Sequence, residues 1–264
     1  MRIALLLALL LITSATVVLF AAHPWWFPAA ASAQAGPLDQ QFRIAFRILG
    51  SLFIAAQLLL GLVILRSRSD RAKYLPGKWQ FEVVWTVAIA ALFFWFNVRG
   101  EHLWAGMTGE AKPGALQVEV TGAQFQWYFR YPGADGKFGR VDAQKFARPD
   151  EGNPLGIDPN DPAGADDIVS NSLVLPQGRE IAITLRAQDV IHSLFIPAMR
   201  FKQDAVPGMQ VQAHLTPVAS GVYEISCAEL CGLGHYRMRS VVRVVSQEQF
   251  DEWLKSHAQH LSMK

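Results

Sequence analysis

The sequence predicts a membrane-anchored, all-β protein, in which a hairpin of two transmembrane helices precedes a sandwich or barrel of β-strands. Apolar residues make up 51% of the 264 residues and charged residues 17%, and the apolar excess lies in the first hundred. From about residue 115 the pattern changes to short alternating segments separated by Pro and Gly, which is typical of an all-β domain. A chain of this length is expected to form one or two compact units.

The N-terminal segment resembles a secretory leader. Residues 3–22 are almost wholly apolar after Arg2, and Ala31-Ser32-Ala33 follows. A basic start, an apolar run and an A-x-A sequence are typical of a signal peptide, so residues 1–33 are predicted to be one, cut after Ala33. Because the apolar run is long for that purpose, an uncleaved membrane anchor is the alternative.

Residues 34–100 are predicted to form the transmembrane hairpin, with helices at about 44–65 and 81–98. The apolar run from Ile48 to Leu65 reaches roughly 27 Å at about 1.5 Å per residue, enough to cross a bilayer. The stretch 66–78 between the two helices carries five basic residues, which places it in the cytoplasm. The C-terminal half is then predicted to lie in the periplasm or outside, with the chain in a bacterial inner membrane.

Residues 101–247 are predicted to form the β domain, which is followed by a short helix and tail at 248–264. The sequence Ser246-Gln-Glu-Gln249 is a capping box that opens this helix. Residues 134–167 are rich in Asp, Gly and Pro and are predicted to be a solvated loop insertion, with a partner or calcium site as the alternative. The predicted strands are 116–120, 124–131, 172–175, 180–185, 210–215, 221–225 and 241–245.

The stretch 227–238 carries the chemistry. It contains the only two cysteines, Cys227 and Cys231, followed by His235 and Met238. Two cysteines in an exported domain usually form a disulfide, and zinc is a second reading of such a pair. Two thiolates with an imidazole and a thioether favour copper instead, and thiolates this close can bridge two metal ions.

A second imidazole for such a site is not present in the same loop. His192, after Asp189-Val-Ile, is placed at the end of an apolar strand, whereas His214 is expected to be a surface or core residue. A lone His in a strand is usually structural, so the residues alone leave the role of His192 open.

The string Cys-x-Glu-x-Cys-Gly-x-Gly-His-x-x-Met at 227–238 resembles the dinuclear copper A loop of cytochrome c oxidase subunit II. The resemblance extends over most of the chain after residue 40, through four further motifs: Glu82-Val-Val-Trp85-Thr86, Gln126-Trp127-Tyr128, Asp189-Val-Ile-His192 and Lys202-Gln-Asp204-Ala-Val-Pro-Gly208. It implies a cupredoxin-like Greek-key β-barrel after the membrane hairpin.

The resemblance also implies a ligand set for copper A. Cys227 and Cys231 are the bridging thiolates, and His192 and His235 are the terminal imidazoles. Met238 is a weak ligand. Glu229 contributes its backbone carbonyl, and its carboxylate binds a Mg²⁺ shared with subunit I, as suits a hard cation.

Three further roles follow from the resemblance. Trp127 is the exposed residue through which electrons enter, although Phe129 stands where many relatives have a second Trp. Asp189 helps to dock cytochrome c, because complementary charge raises the encounter rate. Glu82 lies at the mouth of a proton path into the catalytic subunit, or is simply solvated at the membrane surface.

The resulting hypothesis is subunit II of a haem–copper cytochrome c oxidase. It takes electrons from cytochrome c and passes them to haem in subunit I, where O₂ is reduced to water with proton pumping. Subunit I, and with it subunit III, are the expected partners, and nucleic acid is not. A membrane-tethered copper-binding or copper-delivery protein is the alternative. Nitrous oxide reductase shares the copper loop but needs a large additional catalytic domain.

Overall fold

The computed structural model describes residues 2–22, 27–66, 77–146 and 152–262. The chain divides into two compact units. One contains Met1–Pro28 and Pro37–Leu103, and the other contains Ala29–Gly36 and Trp104–Lys264. The short segment Ala29–Gly36 therefore belongs to the β domain, although it lies between two membrane helices in the sequence.

The helices of the first unit are α1 (Arg2–Ala22), α2 (Ala35–Arg66) and α3 (Trp79–Thr108). All three are long and apolar enough to cross a membrane, so the described part of the chain holds three candidate spans. The sequence predicted a hairpin of two, preceded by a signal peptide or, as the alternative, an uncleaved anchor. Helices α2 and α3 contain the predicted spans but extend beyond them, because helical structure continues through the polar residues flanking each apolar run. The basic stretch at 67–76 lies outside the described residues, and its cytoplasmic location stays a prediction.

In the described residues, the β domain has two five-stranded sheets. The first has the order β3-β2-β1-β5-β8 and the second β4-β10-β9-β6-β7. Neighbours are antiparallel except for the pairs β1–β5 and β4–β10, which are parallel. The strands are β1 (Leu116–Ala123), β2 (Gln126–Tyr131), β3 (Ile168–Ser170), β4 (Leu173–Pro176), β5 (Ile181–Ala187), β6 (His192–Ile196), β7 (Phe201–Ala205), β8 (Val211–Leu215), β9 (Gly221–Cys227) and β10 (Arg239–Val245).

The predicted strands are all present, and the domain is cupredoxin-like. Strands β3, β6 and β7 lie outside the predicted ranges, and alternation along the chain does not reveal which neighbours run parallel. The core lies between the sheets, where some strands are buried along most of their length and others at alternate residues. In β5, for example, Ile181, Ile183 and Leu185 are fully buried.

The sequence predicted a solvated loop insertion at 134–167, but the insertion is not wholly solvated. Arg130 of β2 is only 1% exposed. Its Nε donates to Asp167 Oδ2 at 3.0 Å, its Nη1 to Glu119 Oε2 at 2.9 Å and its Nη2 to the Gly139 carbonyl at 2.6 Å. A buried guanidinium requires such partners, so Arg130 fixes both ends of the insertion onto the sheet.

The C-terminal helix α4 (Gln247–Ser262) begins with the predicted capping box. Ser246 Oγ accepts from the Gln249 amide at 3.3 Å, and Gln249 Oε1 accepts from the Ser246 amide at 3.2 Å. Trp253 of this helix packs edge-on against Tyr131, with ring centroids 4.9 Å apart. Helix α4 therefore covers the end of β2.

Candidate metal centre

The cysteine loop lies between two paired strands. Strand β9 ends at Cys227 and β10 begins at Arg239, so both strands reach closer to the loop than the predicted 221–225 and 241–245. Ser226 and Arg239 are partners in the sheet, and the Cys227 amide donates to the Met238 carbonyl at 3.1 Å. Both ends of the loop are therefore held by backbone hydrogen bonds.

Glycines in this loop let an aromatic ring pack against it. Gly232 has φ +130°, and a Cβ there would come within 3.2 Å of the Phe125 ring. A Cβ on Gly234 would overlap the same ring. Phe125, which the sequence analysis did not single out, thus packs on the loop from the β1–β2 turn.

Soft donor atoms converge inside the loop. The Cys227 and Cys231 sulfurs are 3.9 Å apart, and both thiols are free and buried. This separation is far longer than the roughly 2.05 Å of a disulfide bond. Cys231 Sγ lies 3.6 Å from His235 Nδ1 and 3.7 Å from Met238 Sδ.

His192 brings the second imidazole from another strand. It opens β6, instead of ending a strand as predicted, and its neighbour Leu194 pairs with Cys227 in the sheet. A ligand atom of His192 lies within 4.8 Å of those of Cys227 and Cys231. His192 is fully buried, and its Nδ1 has no hydrogen-bond partner among the described residues. A buried nitrogen left unpaired beside two thiols fits a metal ligand.

Asp189 holds the His192 ring in place. Its Oδ1 lies 2.8 Å from His192 Nε2, and its Oδ2 accepts from the Gln124 amide at 2.7 Å. When Nε2 carries the proton and donates to the carboxylate, Nδ1 keeps the lone pair that a metal needs. Burial opposes ionisation of Asp189, but hydrogen bonds from Gln124, His192 and Val190 lower its pKa below the usual value.

Gln124 links this arrangement to the cysteine loop. Its side-chain Nε2 donates to the Cys231 carbonyl at 2.6 Å, and its amide bonds to Asp189. The β1–β2 turn therefore contacts both loops that carry predicted ligands. Gln124 could not be predicted from the sequence, because its contacts join residues that are far apart in the chain.

The two thiols differ in acidity. Burial raises the pKa of Cys227, but the His192 imidazole beside it, the Ser193 backbone and other polar neighbours outweigh burial and lower the pKa to about 6. Burial, together with the charge of Cys227, raises the pKa of Cys231 to about 11. Cys227 therefore ionises readily, whereas its negative charge opposes the ionisation of Cys231. A bound cation would stabilise both thiolates. The donor set therefore fits copper.

Glu229 lies between the cysteines. Its backbone carbonyl accepts from Cys227 Sγ at 3.2 Å, which places that oxygen beside the sulfurs, as the resemblance implies. Its side chain is exposed. The carboxylate is thus directed away from the buried sulfurs, where a second chain can reach it.

Trp127 is not the exposed residue that the sequence analysis predicted. It is 0% exposed and shares the inward face of β2 with Phe129 and Tyr131, because side chains alternate along a strand. Its ring packs edge-on against His192, with centroids 5.9 Å apart. Trp127 is therefore part of the wall behind a predicted ligand.

Glu82 belongs to the other compact unit. It is exposed in the first turn of α3, in the membrane unit. The fold brings together the predicted ligands of β6, of β9 and of the cysteine loop, and Glu82 is not among them.

A two-sheet β domain with apolar helices before it and a buried cluster of sulfur and imidazole donors defines a membrane-anchored protein with a soft-metal site. The family model for the periplasmic domain of cytochrome c oxidase subunit II matches residues 116–245. The alternative cytochrome c oxidase subunit 2 of Bradyrhizobium diazoefficiens is 34% identical, over 97% of this chain and 91% of that protein. The chain belongs to the cytochrome c oxidase subunit 2 family and is a subunit of a haem–copper oxidase.

The chain is also similar to two further proteins. Cytochrome c oxidase subunit 2 of Saccharomyces cerevisiae is 29% identical, over 84% of this chain and 86% of that protein. The crystal structure of the periplasmic domain of subunit II from Bradyrhizobium japonicum is 29% identical, with a TM-score of 0.42, and covers 56% of this chain and 98% of that domain.

Proposed function

We propose that this chain is the electron-accepting subunit of a cytochrome c oxidase. It takes electrons from cytochrome c at a dinuclear copper A centre and passes them to haem in subunit I, where O₂ is reduced to water with proton pumping. The observation that carries the proposal is the convergence of two free thiols with His192, His235 and Met238 in one buried site. When bound, copper supplies one-electron redox chemistry.

The protein residues would keep this site rigid. Cys227 and Cys231 would bridge the metal ions, and His192 and His235 would bind through Nδ1. Asp189 orients His192, and the β-ladder holds both ends of the cysteine loop. A site fixed in this way changes little between oxidation states, which suits electron transfer.

The surface of the cysteine loop is suited to protein partners. Leu230, Leu233 and Tyr236 are 79%, 98% and 74% exposed, so an apolar rim surrounds the buried donors. Such a surface is typical of protein contacts. We assign this rim to partner binding, with cytochrome c and subunit I as the two partners, and subunit III as a further member of the complex.

Asp189 makes a weaker docking residue than its charge suggests, because both of its oxygens are engaged within the domain. Its role in docking cytochrome c stays a prediction. Trp127 can carry electrons only as a buried neighbour of His192, since it has no exposed surface.

Two roles depend on the partner subunit. The exposed Glu229 carboxylate is proposed to bind Mg²⁺ together with subunit I. Glu82, in the first turn of α3, is proposed to open a proton path, and unchanged turnover of a Glu82→Gln oxidase would remove that role. We further propose that the chain lies in the bacterial inner membrane, with the β domain in the periplasm.

The proposed function is tested by purifying the tagged full chain from membranes. Haem is expected to co-purify, and reduced cytochrome c is expected to reduce the copper of the complex on rapid mixing. A copper-loaded chain that carries neither haem nor a partner subunit would favour the copper-delivery function instead.

A further inference from the structure

We propose that Ala29–Gly36 is a permanent strap of the β domain, and that any proteolytic removal of a leader from this chain takes place before Ala29. Ala31-Ser32-Ala33 resembles a signal-peptidase site, yet these residues are built into the folded domain. The proposal is independent of the metal centre.

Backbone hydrogen bonds hold the strap on both sides. The Ala31 amide donates to the Ala198 carbonyl at 2.8 Å, and the Ala31 carbonyl accepts from the Val218 amide at 2.9 Å. The Ala33 amide donates to the Thr216 carbonyl at 2.9 Å. A peptidase needs an extended and accessible segment, whereas here the backbone is paired at Ala31 and Ala33 and turns into α2 at Ala33 and Gln34.

The side chains of the strap are packed as well. Ala31 is 0% exposed and part of the domain core, and Ser32 is 3% exposed. Ser32 Oγ donates to the Met199 carbonyl at 2.7 Å and accepts from the Ala35 amide at 3.2 Å, at the start of α2. Gln34 Oε1 accepts from the Thr216 amide at 3.2 Å. Close packing therefore explains the small residues at Ala31 and Ser32, whereas Ala33 is exposed and is held by its backbone amide.

Removal of residues 1–33 would expose what the strap covers. The carbonyls of Ala198 and Met199 and the amide of Val218 would lose their partners, and the core would lose Ala31. Ala198 and Met199 form the short 3-10 turn that directly follows β6, the strand that begins with His192. The strap thus supports the far end of a strand that carries a predicted ligand, and its retention keeps buried polar groups paired.

The mature chain, purified from membranes through a C-terminal tag, tests the proposal by intact mass and N-terminal sequencing. The expected N terminus is at or before Ala29. An N terminus at any later residue, and at Gln34 above all, would overturn the proposal. Ala33→Leu adds a second readout, because a large residue before the cut would block cleavage there. The proposal expects an unchanged N terminus in this variant, and a longer mature chain would contradict it.

A matched pair of variants tests the packing. Ala31 is buried and Ala30 is exposed. Ala31→Leu is expected to lower the thermal midpoint of the purified chain by several degrees through overpacking, whereas Ala30→Leu is expected to leave it unchanged. If the segment were removed, Ala30→Leu would match the wild type, and Ala31→Leu would either leave the midpoint unchanged or lengthen the mature chain by impairing cleavage. Either result for Ala31→Leu would contradict the proposal.

Discussion

Replacing Cys231 by Ser is expected to abolish the two-copper centre. Cys231 Sγ lies near three other donor atoms, those of Cys227, His235 and Met238, so it is the most central predicted ligand. A hydroxyl neither ionises like a thiol nor binds copper as a soft ligand. The copper content of the purified full chain should fall from two ions to one or fewer. The electron paramagnetic resonance signal of an electron shared by two copper nuclei should disappear.

Met238→Leu is the matched control for this loss. Leu has a similar size and keeps the buried position apolar, and only a weak, neutral ligand is removed. Two copper ions should remain, with a changed reduction potential. If both variants lose all copper equally, the ranking of ligand strengths is wrong.

Trp127→Ala is expected to destabilise the domain strongly. Trp127 is among the largest fully buried side chains and packs with Phe129 and Tyr131 in the core. Truncation of such a residue leaves a cavity and costs roughly 3–5 kcal/mol. Because the ring also contacts His192, metal retention should fall together with stability. Chemical denaturation of the purified chain measures the first effect, and copper analysis after dialysis measures the second.

Tyr236→Ala is the control for Trp127→Ala. Tyr236 is a large aromatic residue on the cysteine loop, but it is 74% exposed. Its truncation should change the free energy of unfolding by less than about 0.5 kcal/mol. Equal stability of the Trp127 and Tyr236 variants would contradict the buried position of Trp127.

The cysteine loop could be predicted from the sequence because its ligands are contiguous and lie between two strands with clear alternation. His192 could be assigned only by resemblance, since its approach to the cysteines depends on the pairing of β6 with β9. Asp189 and Gln124 act through hydrogen bonds between distant loops, and nothing in their local sequence indicates those contacts.

The buried position of Trp127 could have been predicted from the sequence. Trp127, Phe129 and Tyr131 have the same parity in a strand, so strand alternation alone favours one aromatic face that points inward. For the third candidate span and for the strap, the sequence pattern fits two different structures equally well. A leader and an anchor share the same apolar pattern, and small residues suit both a cleavage site and a packed core.

Copper stoichiometry of the wild-type chain tests the central claim most directly. The purified full chain, reduced and loaded with copper, should retain two copper ions after removal of excess metal. Magnetic resonance should then show one unpaired electron shared between them. A single copper ion per chain, or a Cys227–Cys231 disulfide in the metal-loaded protein, would contradict a dinuclear electron-accepting centre.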